Sequence, residues 1–64
     1  MLNLKKRRIE AGLSQAQLAE KSGVNLRMIQ HYEQGQKPIN NAEALTVYKL
    51  AQALSCSVED LLEL

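Results

Sequence analysis

In the stretch "NLRMIQHYEQ", residues 25–34, Arg27, Gln30, His31 and Gln34 fall at spacings that share one side of a helix. The chemistry such a side offers is hydrogen-bond reading. Arginine presents a two-pronged donor that matches the acceptors of guanine, and glutamine presents the donor–acceptor pair that matches adenine. Leu26, on the shoulder of the same side, could press on a thymine methyl. A polar outer side is also what any amphipathic helix shows, so the pattern alone leaves both readings open.

Other chemistry finds less support. His31 has no second histidine and no nearby cysteine. Nucleophile, base and orienting group do not come together, so no catalytic residue and no enzyme are expected. Glu59 and Asp60 are better explained as the opening of a last helix than as an acid–base pair. Cys56 is the sole cysteine, which excludes a disulfide within the chain. With one histidine it also cannot build a structural zinc site, and no metal or cofactor is expected. An unpaired cysteine is compatible with a reducing cytosol. No apolar run approaches the roughly 18 residues that a membrane span requires. The opening "MLNLKKRRIEAG" is basic but lacks the apolar stretch of a secretory signal. These features describe a soluble cytoplasmic protein, or a domain of a larger one.

The formal net charge is +1, yet its distribution is uneven. Residues 1–38 carry seven Lys or Arg against Glu10, Glu20 and Glu33, whereas residues 39–64 carry Lys49 against Glu43, Glu59, Asp60 and Glu63. Such asymmetry suits a front half that meets a polyanion and a back half that faces away. Chance unevenness of solvated helix faces is the plainer account. Lys5, Lys6, Arg7 and Arg8 could bind phosphate, but a helix spreads them round its cylinder, so only some can face one ligand.

The elements that must position these residues all read as helical. The lone Pro38 and the three glycines stand between periodic stretches, and no segment alternates like a strand. The first helix runs from about Leu2 to Ala11 and stops at Gly12. The second starts at Ser14, where Ser14 and Gln17 make a capping box and Leu13 and Leu18 a hydrophobic staple. Gly23 can take the left-handed backbone that ends it. Asn25 caps a third helix, with Val24 and Ile29 at staple positions, and Gly35 ends it. Asn40 or Asn41 opens a fourth, whose apolar side is Ala44, Val47, Leu50, Ala51 and Leu54. Ser57 and Asp60 cap a short fifth carrying Val58, Leu61 and Leu62. The expected fold is a compact all-α, five-helix bundle, one domain over residues 1–64 with a helix–turn–helix at about 14–34. On the third helix Ile29 and Tyr32 turn to the core, with Asn25, Met28 and Glu33 flanking them. The second helix supports it, and Gln15 sits where free backbone N–H groups and the helix dipole favour a phosphate.

The run "GLSQAQLAEKSGVNLRMIQHYEQGQKP" resembles the helix–turn–helix of the Cro and lambda-repressor-like DNA-binding proteins, the XRE-type transcriptional regulators. Gly12, Leu13, Ser14, Gln15, Leu18, Ala19, Ser22, Gly23, Val24, Ile29, Tyr32, Glu33, Gly35 and Pro38 match in order. Leu4 and Arg8 precede them at the family's spacing, and "LAQALSCSVEDLL" looks like its last two helices. The resemblance implies that Gln15 touches a phosphate or adjacent base, and that Asn25, Leu26, Arg27 and Met28, with Gln30 and His31 a turn later, read bases. It implies backbone contacts from Gln36 and Lys37, and small Ala19 and Gly23 so that two helices cross closely. Arg8 and Glu33 resemble a structural pair tying the first helix to the end of the third. Leu26 and Met28 depart from the family, many of whose members carry hydrophilic residues there.

The implied function is sequence-specific double-stranded DNA binding by a bacterial or phage transcriptional repressor or regulator, acting by operator occupancy. A single small module has few contacts, so a homodimer on two half-sites is expected, with Leu61, Leu62 and Leu64 as candidates for its interface. Leu26 and Met28 keep a second reading alive, in which the same fold serves a protein-interaction adaptor or antitoxin.

Overall fold

In the computed structural model, which describes residues 2–63, four α-helices follow one another: α1 (Asn3–Glu10), α2 (Gln15–Ser22), α3 (Leu26–Glu33) and α4 (Ala44–Ala53). Single 3-10 turns lie at Ile39–Asn41 and Val58–Asp60. No described residue lies in a strand, and no helix among them is long and apolar enough to cross a membrane. The all-α expectation holds; the expected fifth helix does not. After Ser57 the chain closes only i→i+3 bonds, Asp60 N–H to Ser57 O at 3.1 Å and Leu61 N–H to Val58 O at 3.0 Å. It continues only as a turn and a bend at residues 61 and 62, and Asn40 holds the backbone of Glu63: Asn40 Nδ2 donates to Glu63 O and Glu63 N–H donates to Asn40 Oδ1, each at 2.8 Å.

The same capture explains a second difference. The sequence expects Asn40 or Asn41 to open the fourth helix, but the Asn40 side chain is spent on residue 63, Asn41 ends the 3-10 turn, and α4 starts after Glu43, which makes no side-chain cap bond. Asn3 completes the clasp, donating from its backbone N–H to the Glu63 carboxylate at 2.7 Å and from Nδ2 to Leu62 O at 2.8 Å.

The first three helices have eight residues each. Isolated helices shorter than about 12–15 residues are marginal in water, so these depend on packing and on satisfied ends. Packing comes from Leu4, Leu18, Ile29, Leu50 and Leu61, all fully buried, with Val24, Tyr32, Ile39, Val47, Ala51 and Ala53 around them. Leu61, a candidate for a partner surface in the sequence, is thus core. Leu62 packs partly against the same cluster, and Leu64 lies outside the described residues. Burial pushes the Cys56 thiol pKa up, in keeping with its place at the edge of this cluster.

Helix ends are closed by a repeated device. After α1 and α3, the N–H two residues past the cap returns to the carbonyl five positions back: Leu13 N–H to Arg8 O at 3.2 Å, and Gln36 N–H to His31 O at 2.9 Å. The intervening residue must be left-handed, and it is glycine after α1 and α3. After α4 the same bond runs from Cys56 N–H to Ala51 O at 3.0 Å, but the left-handed residue is Ser55, with φ of 54°. A side chain there costs about 1–2 kcal/mol. Ser55→Gly is expected to raise stability by about 0.5–1 kcal/mol, the relief being partly offset by the greater freedom of unfolded glycine. For a domain this small that is a rise of several degrees in Tm, readable by thermal circular dichroism.

Candidate nucleic-acid interface

The third helix begins where the second is made to stop. Gly23 has φ of +76°, and its N–H reaches Ala19 O at 2.9 Å. A Cβ added to Gly23 would meet nothing within 4 Å. Close helix crossing is therefore not why glycine stands here, contrary to the sequence expectation; the left-handed backbone is. Ser22 Oγ then accepts from Val24 N–H at 3.1 Å, and Asn25 Oδ1 accepts from Arg27 N–H at 2.8 Å, starting α3 at a fixed angle. Val24, Ile29 and Tyr32 hold one side of α3 in the core.

The far end of α3 is locked by charge. Glu33 is buried and its carboxylate accepts three hydrogen bonds. Arg8 donates from Nε to Oε2 at 2.7 Å and from Nη2 to Oε1 at 3.0 Å, while Gln15 Nε2 donates to Oε1 at 3.0 Å. The Arg8 side chain is 12% exposed and that of Glu33 2%. Arg8 also donates from Nη1 to Leu13 O at 2.8 Å, so one guanidinium binds the turn before α2 and the end of α3 together. Hydrogen bonding to Glu33 raises the Arg8 pKa above its ordinary value, with burial opposing.

Of the residues named from the sequence, Asn25, Arg27, Gln36 and Lys37 are exposed, and Leu26 is 38% exposed. Gln15, Met28, Gln30 and His31 are half-buried. Gln15 is oriented, because a carboxylate only accepts and the amide nitrogen must face Glu33. Its carbonyl oxygen and one N–H remain for a ligand. Met28 packs against the core, with Lys37 Nζ 3.9 Å from its sulfur. Gln36 and Lys37 follow α3 rigidly, since both backbone N–H groups return to His31 O, at 2.9 and 3.3 Å.

The start of α2 carries the free backbone N–H groups expected from the sequence. Ser14 Oγ accepts from Gln17 N–H at 3.0 Å and Gln17 Oε1 accepts from Ser14 N–H at 2.8 Å. That box leaves the N–H groups of Gln15 and Ala16 without a partner among the described residues, so Ala16 offers a phosphate a backbone donor. The basic stretch of α1, by contrast, is half engaged, with Lys5 and Lys6 exposed and its two arginines paired. Arg8 is bound to Glu33, and Arg7 lies 3.5 Å from Asp60.

Two short helices at a tight turn, the second presenting exposed polar side chains beside a loop that carries Lys37, define a helix–turn–helix domain of the DNA-binding kind. A helix-turn-helix family profile matches residues 4–61. The chain belongs to this family, that of the Cro and lambda-repressor-like proteins, whose business is DNA binding and transcription regulation. No curated protein and no solved structure matches it.

Breaking the buried pair has a stated cost. Removing one partner of a buried ion pair destabilises by about 3–5 kcal/mol, comparable to the about 3–5 kcal/mol that a core this small supplies. Glu33→Ala should therefore lose most native helical signal at 25 °C. Arg8→Met combined with Glu33→Leu, which strands no charge, should recover much of it; equal melting curves for Glu33→Ala and the native chain would contradict this account.

Proposed function

We propose that the protein is a sequence-specific binder of double-stranded DNA, a transcriptional repressor that acts by occupying an operator. α3 enters the major groove and α2 lies across the backbone. The observation that carries the reading is the division of α3 into two sides. Ile29, Tyr32 and Glu33 are locked into the bundle, while Arg27 and Gln34 are exposed and Gln30 and His31 half-exposed beside them. Arg27, Gln30 and His31 address base edges, with Asn25 and Leu26 at the entry of the helix and Met28 at its margin. Gln15 and the free N–H groups of α2 meet one phosphate; Gln36 and Lys37 meet another. The protein acts in the cytoplasm of a bacterium or phage host.

The domain measures 23 × 23 × 22 Å. Half-sites one helical turn apart are about 34–36 Å from centre to centre, so one copy serves one half-site and a homodimer serves an operator. Met28, half-buried against the core, offers less apolar surface to the adaptor or antitoxin reading than the exposed Leu26.

Selecting duplexes from a random pool, with oligomer size measured in parallel, tests the proposal; a pool that yields no preferred sequence defeats it. On the selected duplex, Arg27→Ala is expected to cost about 1–3 kcal/mol and to relax the preference at one base pair. A loss equal on every sequence would make Arg27 a phosphate contact instead. Lys37→Ala should weaken all duplexes alike and lower the slope of log K against log salt by about one. An unchanged slope would take Lys37 out of the interface.

A further inference from the structure

His31 carries a feature that neither the fold nor the family explains. Its Nδ1 is buried and has no hydrogen-bond partner, alone in this among side-chain nitrogens and oxygens of the described residues. Its Nε2 makes no hydrogen bond to the described residues and is not among the buried unpaired atoms, so it reaches solvent. A neutral imidazole has one N–H and one bare nitrogen. A buried N–H without an acceptor is among the rarest defects in folded proteins. At Nε2 either form is satisfied by water, so Nδ1 decides: it keeps the bare lone pair, and the hydrogen goes to Nε2.

We infer that His31 is held as the Nε2–H tautomer and is a fixed hydrogen-bond donor, a specificity-determining residue that accepts only an acceptor atom of the duplex. The inference rests on the DNA-binding reading for its ligand, but not for its tautomer. Guanine O6 and N7, adenine N7, thymine O4 and phosphate oxygens satisfy such a donor; the amino group of cytosine, which is itself a donor, does not. Arg27 and Gln34 flank His31 one turn away on each side and are exposed, so Nε2 lies among the groups proposed to meet DNA. The burial of Nδ1 also restrains the ring. Unlike Gln30 and Gln34, which can turn an amide to suit either kind of base edge, this position cannot adapt.

Two measurements test it. In the free protein at about pH 8.5, where an ordinary imidazole is neutral, long-range proton–nitrogen correlation spectra should show a protonated Nε2 and a bare Nδ1. A protonated Nδ1, or an averaged pattern, overturns the inference whatever the protein binds. On the selected duplex, His31→Leu should weaken binding by about three- to tenfold, while His31→Gln, which can place an amide N–H near the site of Nε2, should stay within about threefold of the native chain. Both variants must melt like the native chain. Full affinity in His31→Leu overturns the inference. Single 7-deazapurine and methylphosphonate substitutions in the duplex then locate the acceptor. Sensitivity to the first places it on a base and to the second on the backbone; sensitivity to neither at any position overturns the contact. Failure to select any duplex would remove the DNA reading and leave the tautomer result standing.

Discussion

A carboxylate at the end of a helix is in the wrong place. The last turn carries the negative end of the helix dipole, which disfavours an acid there, and burial disfavours it further. Glu33 stands in that position, nine-tenths or more out of solvent. It is tolerable only because three donors converge on it, two from Arg8 on α1 and one from Gln15 on α2. One buried charge therefore dictates how three of the four helices meet. A bidentate guanidinium fixes direction as well as distance. A lysine at position 8 could neutralise Glu33 but would not reproduce the fork that also reaches Leu13 O.

That constraint lets very short helices behave as one rigid piece. The chain has about two dozen residues in α1, α2 and α3 together, far too few in each to persist alone. What replaces length is closure at both ends. Ser14 and Asn25 satisfy starting N–H groups, and left-handed residues return the last carbonyls. Asp60 plays the same part at the final turn, where hydrogen bonding from Ser57 holds its carboxyl pKa below the ordinary value. Asn3 and Asn40 bind residues 62 and 63, so the two ends of the described chain brace each other and the loop behind α3.

Local chemistry was legible in the sequence where it is decided within a few residues. Ser14 with Gln17, Asn25 as a cap and Gly23 and Gly35 as stops all depend on near neighbours, and the helix–turn–helix follows from them. Contacts across the chain were less legible. Asn40 looks like a helix cap in isolation, and only the distant Glu63 backbone shows why it is not one. Leu61 and Leu62 look interchangeable, but one is sealed in the core and the other lies at its margin. Ser55 gives no local sign of a left-handed backbone, since serine rarely adopts one; the return of Cys56 N–H to Ala51 O imposes it. The outer side of α3 was visible as a list of polar residues. Which of them are free to turn was not, because that depends on Glu33 and on the surroundings of Nδ1 in His31.

The distinction between held and free groups bears on how such an interface would divide its labour. Ordering a long side chain on binding costs about 0.5–1.5 kcal/mol. Arg27, Gln34, Gln36 and Lys37 are exposed and would incur that cost. Gln15 is already oriented by Glu33, so its cost is met in folding, and under the inference above His31 shares that advantage. A held group gains little freedom of partner: it fits an acceptor or donor at one place or leaves it unpaired, and an unpaired buried polar group is costly. A mobile cation such as Lys37 forgives displacement and draws on charge. Under the proposed function, the groups that folding has fixed would therefore meet the duplex at the lower entropic cost, and those it has not fixed would tolerate misplacement. The buried charge of Glu33 then has two effects from one cause, since the bond that orients Gln15 toward α3 also sets the angle at which α3 is presented.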